Sequence, residues 1–308
     1  MIRQQAFIGE GRTMLKGGLH CHTTRSDGLG TPEEVVRLHV ANQYDFLAIT
    51  DHRFYNFKNY APDTDIVIIP GMEMDYNLPA PGPWCRHCYH ILCLGPTEGN
   101  GYAQDERFES LKVNNAQECQ PYLDEIHARN NLTIYAHPEW SSTPVEEFRD
   151  LQGNFAMEIW NSGCVMETDC DKDAAYWDVL LREGRRIYGV ATDDGHDMKQ
   201  HCNGWVMVNA QKNVPAILNA LRDGAFYSST GPEIYDFYVD GGQAVVRCSP
   251  ARRVRFHYGY SPTRIVDAAE EPLTGATNPV PEYYNYIRAS VIDAQGHTAW
   301  TNPIFLKD

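Results

Sequence analysis

The sequence predicts an α/β protein in which strands and helices alternate, followed by a small all-β unit. Two patterns support this prediction. From about residue 15 to residue 229, short apolar runs alternate with helix-like stretches, and after Gly231-Pro232 only strand-like runs remain. Strand–helix alternation is typical of a parallel sheet, and this many units could close into a barrel. We therefore expect a larger unit over residues 1–230 and a β-rich unit over residues 231–308.

Six apolar runs in the first part have the length and composition of buried strands. They lie at residues 46–49, 66–69, 91–94, 132–135, 155–159 and 187–191. Thr31-Pro32 with Glu34 predicts a capped helix start, and Thr143-Pro144 with Glu146 repeats the pattern. Two further helices are expected over residues 173–183 and 213–223, because a glycine follows each of them.

The last 78 residues contain strand-like runs separated by turn residues, with no helical stretch between them. We expect strands at residues 234–239, 244–248, 254–258, 284–292 and 298–305.

Composition excludes several classes of protein. The chain has 308 residues, 43% of them hydrophobic and 22% charged, which is typical of a globular protein. Its 26 basic and 41 acidic residues give a net charge of −15, which disfavours binding to nucleic-acid polymers or anionic membranes. Nine cysteines cannot all pair, and the first residues lack a signal-peptide pattern. We therefore expect a cytoplasmic protein with free thiols; the oligomeric state stays open.

Most of the histidines and carboxylates directly follow strand-like runs, where an α/β barrel carries its active site, and His90 opens such a run. They are His20, His22, Asp27, Asp51, His52, Glu73, His90, His137, Asp193, Asp194 and His196. Each has an ordinary explanation by itself, such as a turn aspartate or an N-cap. Together they predict a metal centre, because imidazoles and carboxylates are ligands for Zn, Mn or Fe. Burying so many carboxylates without cations would be costly.

These motifs in this order resemble the PHP superfamily of metal-dependent phosphoesterases, named for polymerases and histidinol phosphatase. The matching parts are His-x-His at residues 20–22, Ser-Asp-Gly at 26–28, Thr-Asp-His at 50–52, Gly-x-Glu at 71–73, His90, Ala-His-Pro at 136–138 and Asp-x-His at 194–196. Residues 224–232 and 299–304 also resemble a PHP subgroup that includes a carbamate hydrolase.

The resemblance implies a distorted barrel of seven β/α units that holds two or three divalent ions of Zn, Mn or Fe. His20, His22, Glu73 and Asp194 would bind the first ion, with Asp194 favoured over Asp193 by the family spacing. Glu73 would bridge to a second ion bound by His90 and His137. Asp27, His52 and His196 would surround a third.

A metal-bridging hydroxide would then hydrolyse a small phosphomonoester or a linear or cyclic phosphodiester. The leaving group needs a proton or a cation, which Asp51, His196 or the third ion could supply. The expected substrate contacts are Arg25, Arg53, Arg86, Asn161 and His201. Two alternatives stay open: a carbamate, ester or amide hydrolase that uses the same metal centre, and a non-catalytic binding protein. In the latter, Tyr283, Tyr284 and Tyr286 of the C-terminal unit would contact the ligand.

Overall fold

The computed structural model describes residues 1–80, 82, 87–96, 101–259 and 263–307. The strands within these ranges are β1 (Ile2–Arg3), β2 (Met14–Gly18), β3 (Phe46–Ala48), β4 (Val67–Ile69), β5 (Gly71–Asn77), β6 (Cys88–Leu94), β7 (Leu111–Lys112), β8 (Leu132–Ala136), β9 (Asn154–Asn161), β10 (Tyr188–Thr192), β11 (Trp205–Asn209), β12 (Phe226–Ser229), β13 (Ile234–Asp240), β14 (Gln243–Ala251), β15 (Arg253–His257), β16 (Arg264–Asp267), β17 (Leu273–Pro279), β18 (Tyr286–Ile292), β19 (Thr298–Thr301) and β20 (Ile304–Phe305). The helices are α1 (Pro32–Ala41), α2 (Ala116–Ala128), α3 (Val145–Phe148), α4 (Ser162–Thr168), α5 (Asp173–Arg182) and α6 (Val214–Arg222).

The strands form three sheets. A six-stranded sheet has the order β10-β9-β8-β6-β5-β7, and a four-stranded sheet has the order β1-β13-β14-β17. The ten-stranded sheet runs β16-β15-β18-β19-β12-β11-β2-β3-β4, with β20 paired to β18. None of the helices in the described ranges has both the length and the apolar composition that crossing a membrane requires.

The prediction of a parallel sheet is correct for only part of the first unit. β2, β3 and β4 pair in parallel, as do β8, β9 and β10. β5 and β6 are antiparallel, and so are β6 and β8. Residues 78–87, which join β5 to β6, are too few for the helical crossover that a parallel pair needs. β11 is also antiparallel to both of its neighbours.

The α/β class is confirmed, but the pairing among the described residues does not form a closed barrel of seven β/α units. Nine strands nevertheless contribute side chains to one buried core, which includes Leu15, Phe46, Leu92 and Val190. Two isolated parallel bridges, Cys21 to Gly195 and His52 to Glu73, join segments beyond the ends of β2 and β3 to segments of the other sheet. The two sheets therefore approach each other at the end where the histidines lie.

Of the two helix N-caps predicted from the sequence, Thr31 is confirmed and Thr143 is not. Thr31 caps α1 as predicted, because its hydroxyl accepts a hydrogen bond from Glu34 N at 3.3 Å while Glu34 Oε2 accepts one from Thr31 N at 2.8 Å. The second predicted helix also forms, but Thr143 does not cap it. Thr143 is buried and donates its hydroxyl hydrogen to Cys88 O, so Pro144 is the N-cap residue, and α3 begins at Val145 and lasts one turn.

The C-terminal strands continue the sheet of the first unit. β12 pairs with β19, so the ten-stranded sheet passes without a break through the expected boundary near residue 230. β1 pairs with β13, and Phe7 belongs to the core between the C-terminal strands. The chain's first residues therefore lie with the C-terminal strands, and the division into residues 1–230 and 231–308 stays a prediction.

Candidate metal centre

The predicted histidines and carboxylates meet at one end of the two sheets. His20 and His22 follow β2, His52 follows β3 and His137 follows β8, as the strand pattern predicts. Glu73 differs from the prediction, because it lies within β5 rather than after a strand. Its neighbour two positions along, Asp75, is directly opposite His90 of β6 in the antiparallel register. Pairing of these two strands therefore places Glu73 and His90 on the same face.

Glu73 lies at the centre of the cluster and is completely buried. Its Oε1 is 2.8 Å from His90 Nδ1, 3.3 Å from His137 Nε2 and 3.4 Å from His20 Nε2. Its Oε2 is 2.9 Å from His52 Nδ1 and 3.3 Å from His22 Nε2. A single carboxylate is thus contacted by five imidazoles.

Asp194 supplies a second carboxylate, and the structure favours it over Asp193. Asp194 Oδ1 is 2.9 Å from His22 Nε2 and 3.1 Å from His20 Nε2. Asp193 points elsewhere, since its two oxygens accept hydrogen bonds from the backbone N–H groups of residues 202, 203 and 204. Asp193 therefore holds the loop after β10, and Asp194 is available to the cluster.

Asp27 and His196 form the solvent-facing rim of the cluster. The Asp27 side chain is 56% exposed, and its Oδ1 is 3.4 Å from His196 Nε2. Its Oδ2 is 3.6 Å from His52 Nε2. His196 Nδ1 is 2.9 Å from the backbone oxygen of Asp194, to which it can donate a hydrogen bond. Its other nitrogen, Nε2, is then left facing Asp27.

The charges of the cluster favour a cation at its centre. Burial opposes protonation of His22, but Asp194 and Glu73 outweigh it and raise the pKa of His22 to about 9. Burial alone would raise the pKa of Glu73, yet the surrounding imidazoles hold the pKa of this carboxyl well below its usual range. Positive charge next to these carboxylates is therefore strongly favourable, whether protons or metal ions carry it.

The residues fit divalent metal ions. Three overlapping groups bring ligand atoms within 4.8 Å of one another: His20, His22, Glu73 and Asp194; His52, Glu73 and His90; and His22, Asp27, His52 and His196. Three buried atoms of these groups make no hydrogen bond although ligand atoms lie close to them, namely Glu73 Oε2, Asp194 Oδ1 and His52 Nδ1. Buried polar atoms are normally satisfied, so a bound cation would explain all three.

Glu158 was missed by the sequence reasoning. It is completely buried in the middle of β9, and its Oε1 lies 2.7 Å from His20 Nδ1. The same oxygen accepts a hydrogen bond from Thr192 Oγ1, and Oε2 accepts one from the backbone N of His137. The available signal was a glutamate within the otherwise apolar run at residues 155–160.

Two predicted roles are not supported by the local contacts. Asp51 is completely buried, and both of its oxygens accept hydrogen bonds from Thr23, with a further one from Ser26. It therefore braces the segment after His22 and is not placed to donate a proton. Asn161 caps α4 and donates from Nδ2 to Glu158 and to Asp194 Oδ2, so it orients carboxylates instead of facing substrate.

Of the predicted substrate contacts, Arg53 lines a cavity next to the cluster, whereas Arg25 and His201 are held by other contacts. Arg25 is engaged by Tyr60 and by Asp105, whose Oδ1 is 2.6 Å away. His201 is 4% exposed and packs against Gly195, so it lies beneath the loop and does not line an opening. Arg53 pairs with Asp75 and lines a cavity next to the cluster. Arg86 lies outside the described residues.

Two adjoining cavities give access to the cluster. The first has a volume of about 220 Å³ and is lined by the cluster residues other than His20 and His22, together with Trp140, Cys164 and Glu167. The second has a volume of about 440 Å³, and Arg53 and Asp75 lie in its wall. Trp140, which sequence reasoning missed, lies edge-on to His137 with ring centroids 4.9 Å apart. Nothing in the sequence around Trp140 distinguishes it from a core tryptophan.

Solved structures give a likeness in fold. A two-domain protein from Bacteroides vulgatus ATCC 8482, described as containing a predicted PHP-like metal-dependent phosphoesterase, aligns with a TM-score of 0.50 and 14% identity over 96% of each chain. An amidohydrolase from Chromobacterium violaceum with bound sulfate and no metal aligns with a TM-score of 0.41 and 16% identity; the alignment covers 59% of this chain and 87% of the amidohydrolase. PsfC from Pseudomonas syringae PB-5123 aligns with a TM-score of 0.43 and 14% identity; the alignment covers 65% of this chain and 83% of PsfC.

At these identities the likeness concerns the fold alone. No curated protein matches the sequence. The PHP domain family model matches residues 18–159, a range that contains the cluster residues from His20 to His137 and leaves Asp194 and His196 beyond it. The motif order, the convergence of these side chains and the family match agree, and residues 18–159 of this chain match the PHP domain model.

Proposed function

We propose that this chain is a metal-dependent hydrolase that cleaves phosphate esters of small molecules. The observation that carries the proposal is Glu73, a completely buried carboxylate contacted by five imidazoles, with one oxygen that lacks a hydrogen-bond partner. Divalent ions bound by such ligands activate water and neutralise charge that develops on a phosphoryl group. His20, His22, Glu73 and Asp194 would hold one ion, and His90 and His137 would complete a second site that shares Glu73.

The chain's own residues would orient these ligands. Glu158 accepts a hydrogen bond from His20 Nδ1, which leaves Nε2 as the ligand atom on the Glu73 side. Ser141 Oγ lies 3.1 Å from His137 Nδ1 and can fix that ring in the same way. His196 presents Nε2 at the rim, where it can bind a third ion together with Asp27 and His52. If that set holds no ion, His196 Nε2 can donate a proton to the leaving group.

The cavities support a small phosphorylated substrate. The 440 Å³ cavity shares Asp27, His52 and His90 with the cluster cavity, so a leaving group can occupy it while the phosphate lies at the cluster. Arg53 in its wall can donate two hydrogen bonds to phosphate oxygens. A volume of this size suits a small molecule, and the net charge of −15 disfavours a nucleic-acid polymer.

The two alternative functions gain no support from the residues that suggested them. Asn302, in the segment at 299–304, accepts a hydrogen bond from Gly189 N and donates one to Phe226 O, so it braces strands. Tyr284 and Tyr286 are 7% and 2% exposed, which leaves only Tyr283 of the three tyrosines on the surface. The C-terminal strands therefore do not present these tyrosines as an aromatic face.

Metal analysis combined with a substrate panel tests the proposal. The panel contains p-nitrophenyl phosphate, bis-p-nitrophenyl phosphate and p-nitrophenyl acetate. We expect bound divalent metal and release of nitrophenol from a phosphate ester, both of which collapse in Glu73→Gln and in His137→Ala. Glu146→Gln and His297→Ala, which change exposed residues of the same types, are the matched controls. Cleavage of the acetate alone would indicate hydrolysis at carbon, and metal-free inactive protein would contradict the proposal.

A further inference from the structure

A further cavity, separate from the two at the metal centre, lies on the opposite side of β5. Residues 71, 73, 75 and 77 face the cluster side, and the intervening residues face the opposite side because side chains alternate along a strand. The cavity has a volume of about 250 Å³. Its lining comes from β5, α2 and the segment before α2: Met72, Met74, Tyr76, Tyr102, Phe108, Glu109, Leu111, Tyr122, Glu125 and Ile126.

Four of the ten residues that line this cavity are aromatic. Tyr76 and Tyr122 lie with ring centroids 5.7 Å apart and planes inclined by 33°. Tyr102 and Phe108 meet edge to face, with centroids 4.9 Å apart and planes at 78°. Aromatic faces carry a negative electrostatic potential that attracts cations. Met72 and Met74, both almost fully buried, add polarisable thioethers to the same wall.

The charged groups of the lining have a single sign. Glu109 and Glu125 are the two charged side chains in it, and none of the described residues that line the cavity is Lys or Arg. Arg129 lies outside the lining, with its guanidinium 4.6 Å from the Tyr102 ring centroid and 3.4 Å from Glu125 Oε1. An exposed ion pair of this kind contributes little, so Glu125 remains available to a cation. The position of Arg129 also indicates that the Tyr102 ring attracts positive charge.

We propose that this cavity binds a small organic ammonium ion, such as a quaternary or methylated amine. Its aromatic and thioether walls favour methyl groups, and the two carboxylates complement a positive charge. Quaternary ammonium groups are bound in aromatic cages by this combination in other proteins. The volume lies just below the range of about 300–1,000 Å³ that holds drug-sized ligands, so the occupant is small. An anion is disfavoured by the glutamates and by the ring faces.

Titration calorimetry on the full chain tests this proposal. The probes are tetramethylammonium, choline and 3,3-dimethylbutan-1-ol, the last being the neutral carbon analogue of choline. We expect saturable binding of both cations. The affinity for the neutral alcohol should be lower than that for choline by about tenfold or more, because the cation–π contribution is lost. Equal affinity for choline and its neutral analogue, or no binding of either cation, would overturn the proposal.

Substitutions of cavity residues test whether tetramethylammonium binds in this cavity. Tyr122→Leu keeps an apolar side chain at a residue that is 38% exposed and should weaken tetramethylammonium binding severalfold. The double change Glu109→Gln and Glu125→Gln should weaken it further. Tyr235→Leu, at an exposed tyrosine of β13, and Glu146→Gln, at an exposed glutamate of α3, are the matched controls and should leave affinity unchanged. If the controls and the cavity variants reduce binding equally, the ion binds elsewhere and the proposal fails.

The measurement is a binding isotherm and needs no substrate. Failure of the proposed hydrolase activity would therefore leave this result intact, and failure of cation binding would leave the proposed activity intact. Inorganic phosphate added beforehand should not compete with tetramethylammonium, because the cavity lies on the other face of β5. Competition between the two ions would contradict a separate site.

Discussion

His20 and Glu158 form a completely buried pair in which Nδ1 of the imidazole lies 2.7 Å from Oε1 of the carboxylate. The two residues are 138 positions apart: His20 follows β2 of the ten-stranded sheet, and Glu158 lies in β9 of the six-stranded sheet. A histidine that binds a metal typically donates its second N–H to a carboxylate in this way. The pair therefore fixes which nitrogen of His20 faces the metal centre.

Glu158→Gln should weaken metal binding by about 10–100-fold. Glu158 accepts hydrogen bonds at both oxygens, and glutamine would turn an NH₂ group toward one pair of these donors. Competition with a chromophoric chelator measures the dissociation constant, and circular dichroism confirms the fold. Glu146→Gln should bind metal like the wild type. Unchanged affinity in Glu158→Gln would show that the pair is purely structural.

Divalent metal should raise the melting temperature of the metal-free protein in a manner that depends on Glu73. Binding to the folded state alone stabilises it by about 2.7 kcal/mol when free metal is one hundred times its dissociation constant. In Glu73→Gln the shared ligand is lost, and the shift caused by Zn²⁺ or Mn²⁺ should largely disappear. Differential scanning fluorimetry with and without chelator measures this. The same shift in both proteins would place the metal elsewhere.

Arg53→Lys and Arg25→Lys should have different effects on hydrolysis of a phosphate ester. Arg53 lines the large cavity, and lysine cannot donate two parallel hydrogen bonds, so KM should rise about tenfold with a smaller change in kcat. Arg25 is held by Asp105 and Tyr60, so its replacement should leave KM unchanged. Steady-state kinetics on both variants measure the difference. Equal effects on KM would remove Arg53 from substrate binding.

Asp178 should make stability depend on acid pH. Arg288 Nη2 lies 2.7 Å and Nε 3.0 Å from Asp178 Oδ1, and Arg288 is 1% exposed. Burial would raise the pKa of Asp178, but Arg288 and His257 outweigh it and hold this pKa below its usual range. Because its pKa is lower in the folded state, the ionised carboxylate contributes its full stabilisation at pH values above the unfolded-state pKa of about 3.9. This contribution is lost as the pH falls through the folded-state pKa.

The change Asp178→Asn tests this dependence. At pH 7 it should lower the free energy of unfolding by about 3 kcal/mol or more, because Arg288 is left buried and unpaired. The difference from the wild type should narrow as the pH falls below about 4, because the unfolded wild-type carboxylate takes up a proton there. It should disappear only as the pH falls through the depressed folded-state pKa of Asp178. Urea unfolding across this range measures it, with exposed Asp171→Asn as the control. A difference that does not vary with pH would contradict the ionic origin.

The sequence predicts the strands of this fold better than their direction. Apolar runs located β3, β4, β8, β9 and β10 to within about two residues, because burial on both faces leaves a continuous apolar pattern. β5 was missed since Glu73 and Asp75 interrupt its apolar pattern and only Pro70 separates it from β4. β16 and β17 were missed as well, because both are largely exposed and neither contains a run of three or more strongly apolar residues. Strand direction depends on connections, which the pattern does not encode.

The candidate metal site was predictable where motifs name residues directly. Glu73, Asp194 and the predicted histidines from His20 to His196 converge in the structure as the motif order implies. Residues that act through another side chain were not predictable. The only sign of Glu158 in the sequence is that an acidic residue interrupts an apolar strand. Asn161 was predicted to contact substrate, because a short motif does not show which way an amide points. Arg25 illustrates the same difficulty, since its partner Asp105 is 80 residues away.

The pairing of β12 with β19 has a consequence for dissecting this chain. A fragment that stops at residue 230 would expose the whole hydrogen-bonding edge of β12, which is otherwise covered by Thr298–Thr301. Open edges of this kind pair with other molecules and lead to aggregation. The same cut would remove Arg288 from Asp178 and β13 from β1. Recombinant production of residues 1–230 alone should therefore yield insoluble material, so the smallest useful fragment retains the C-terminal strands.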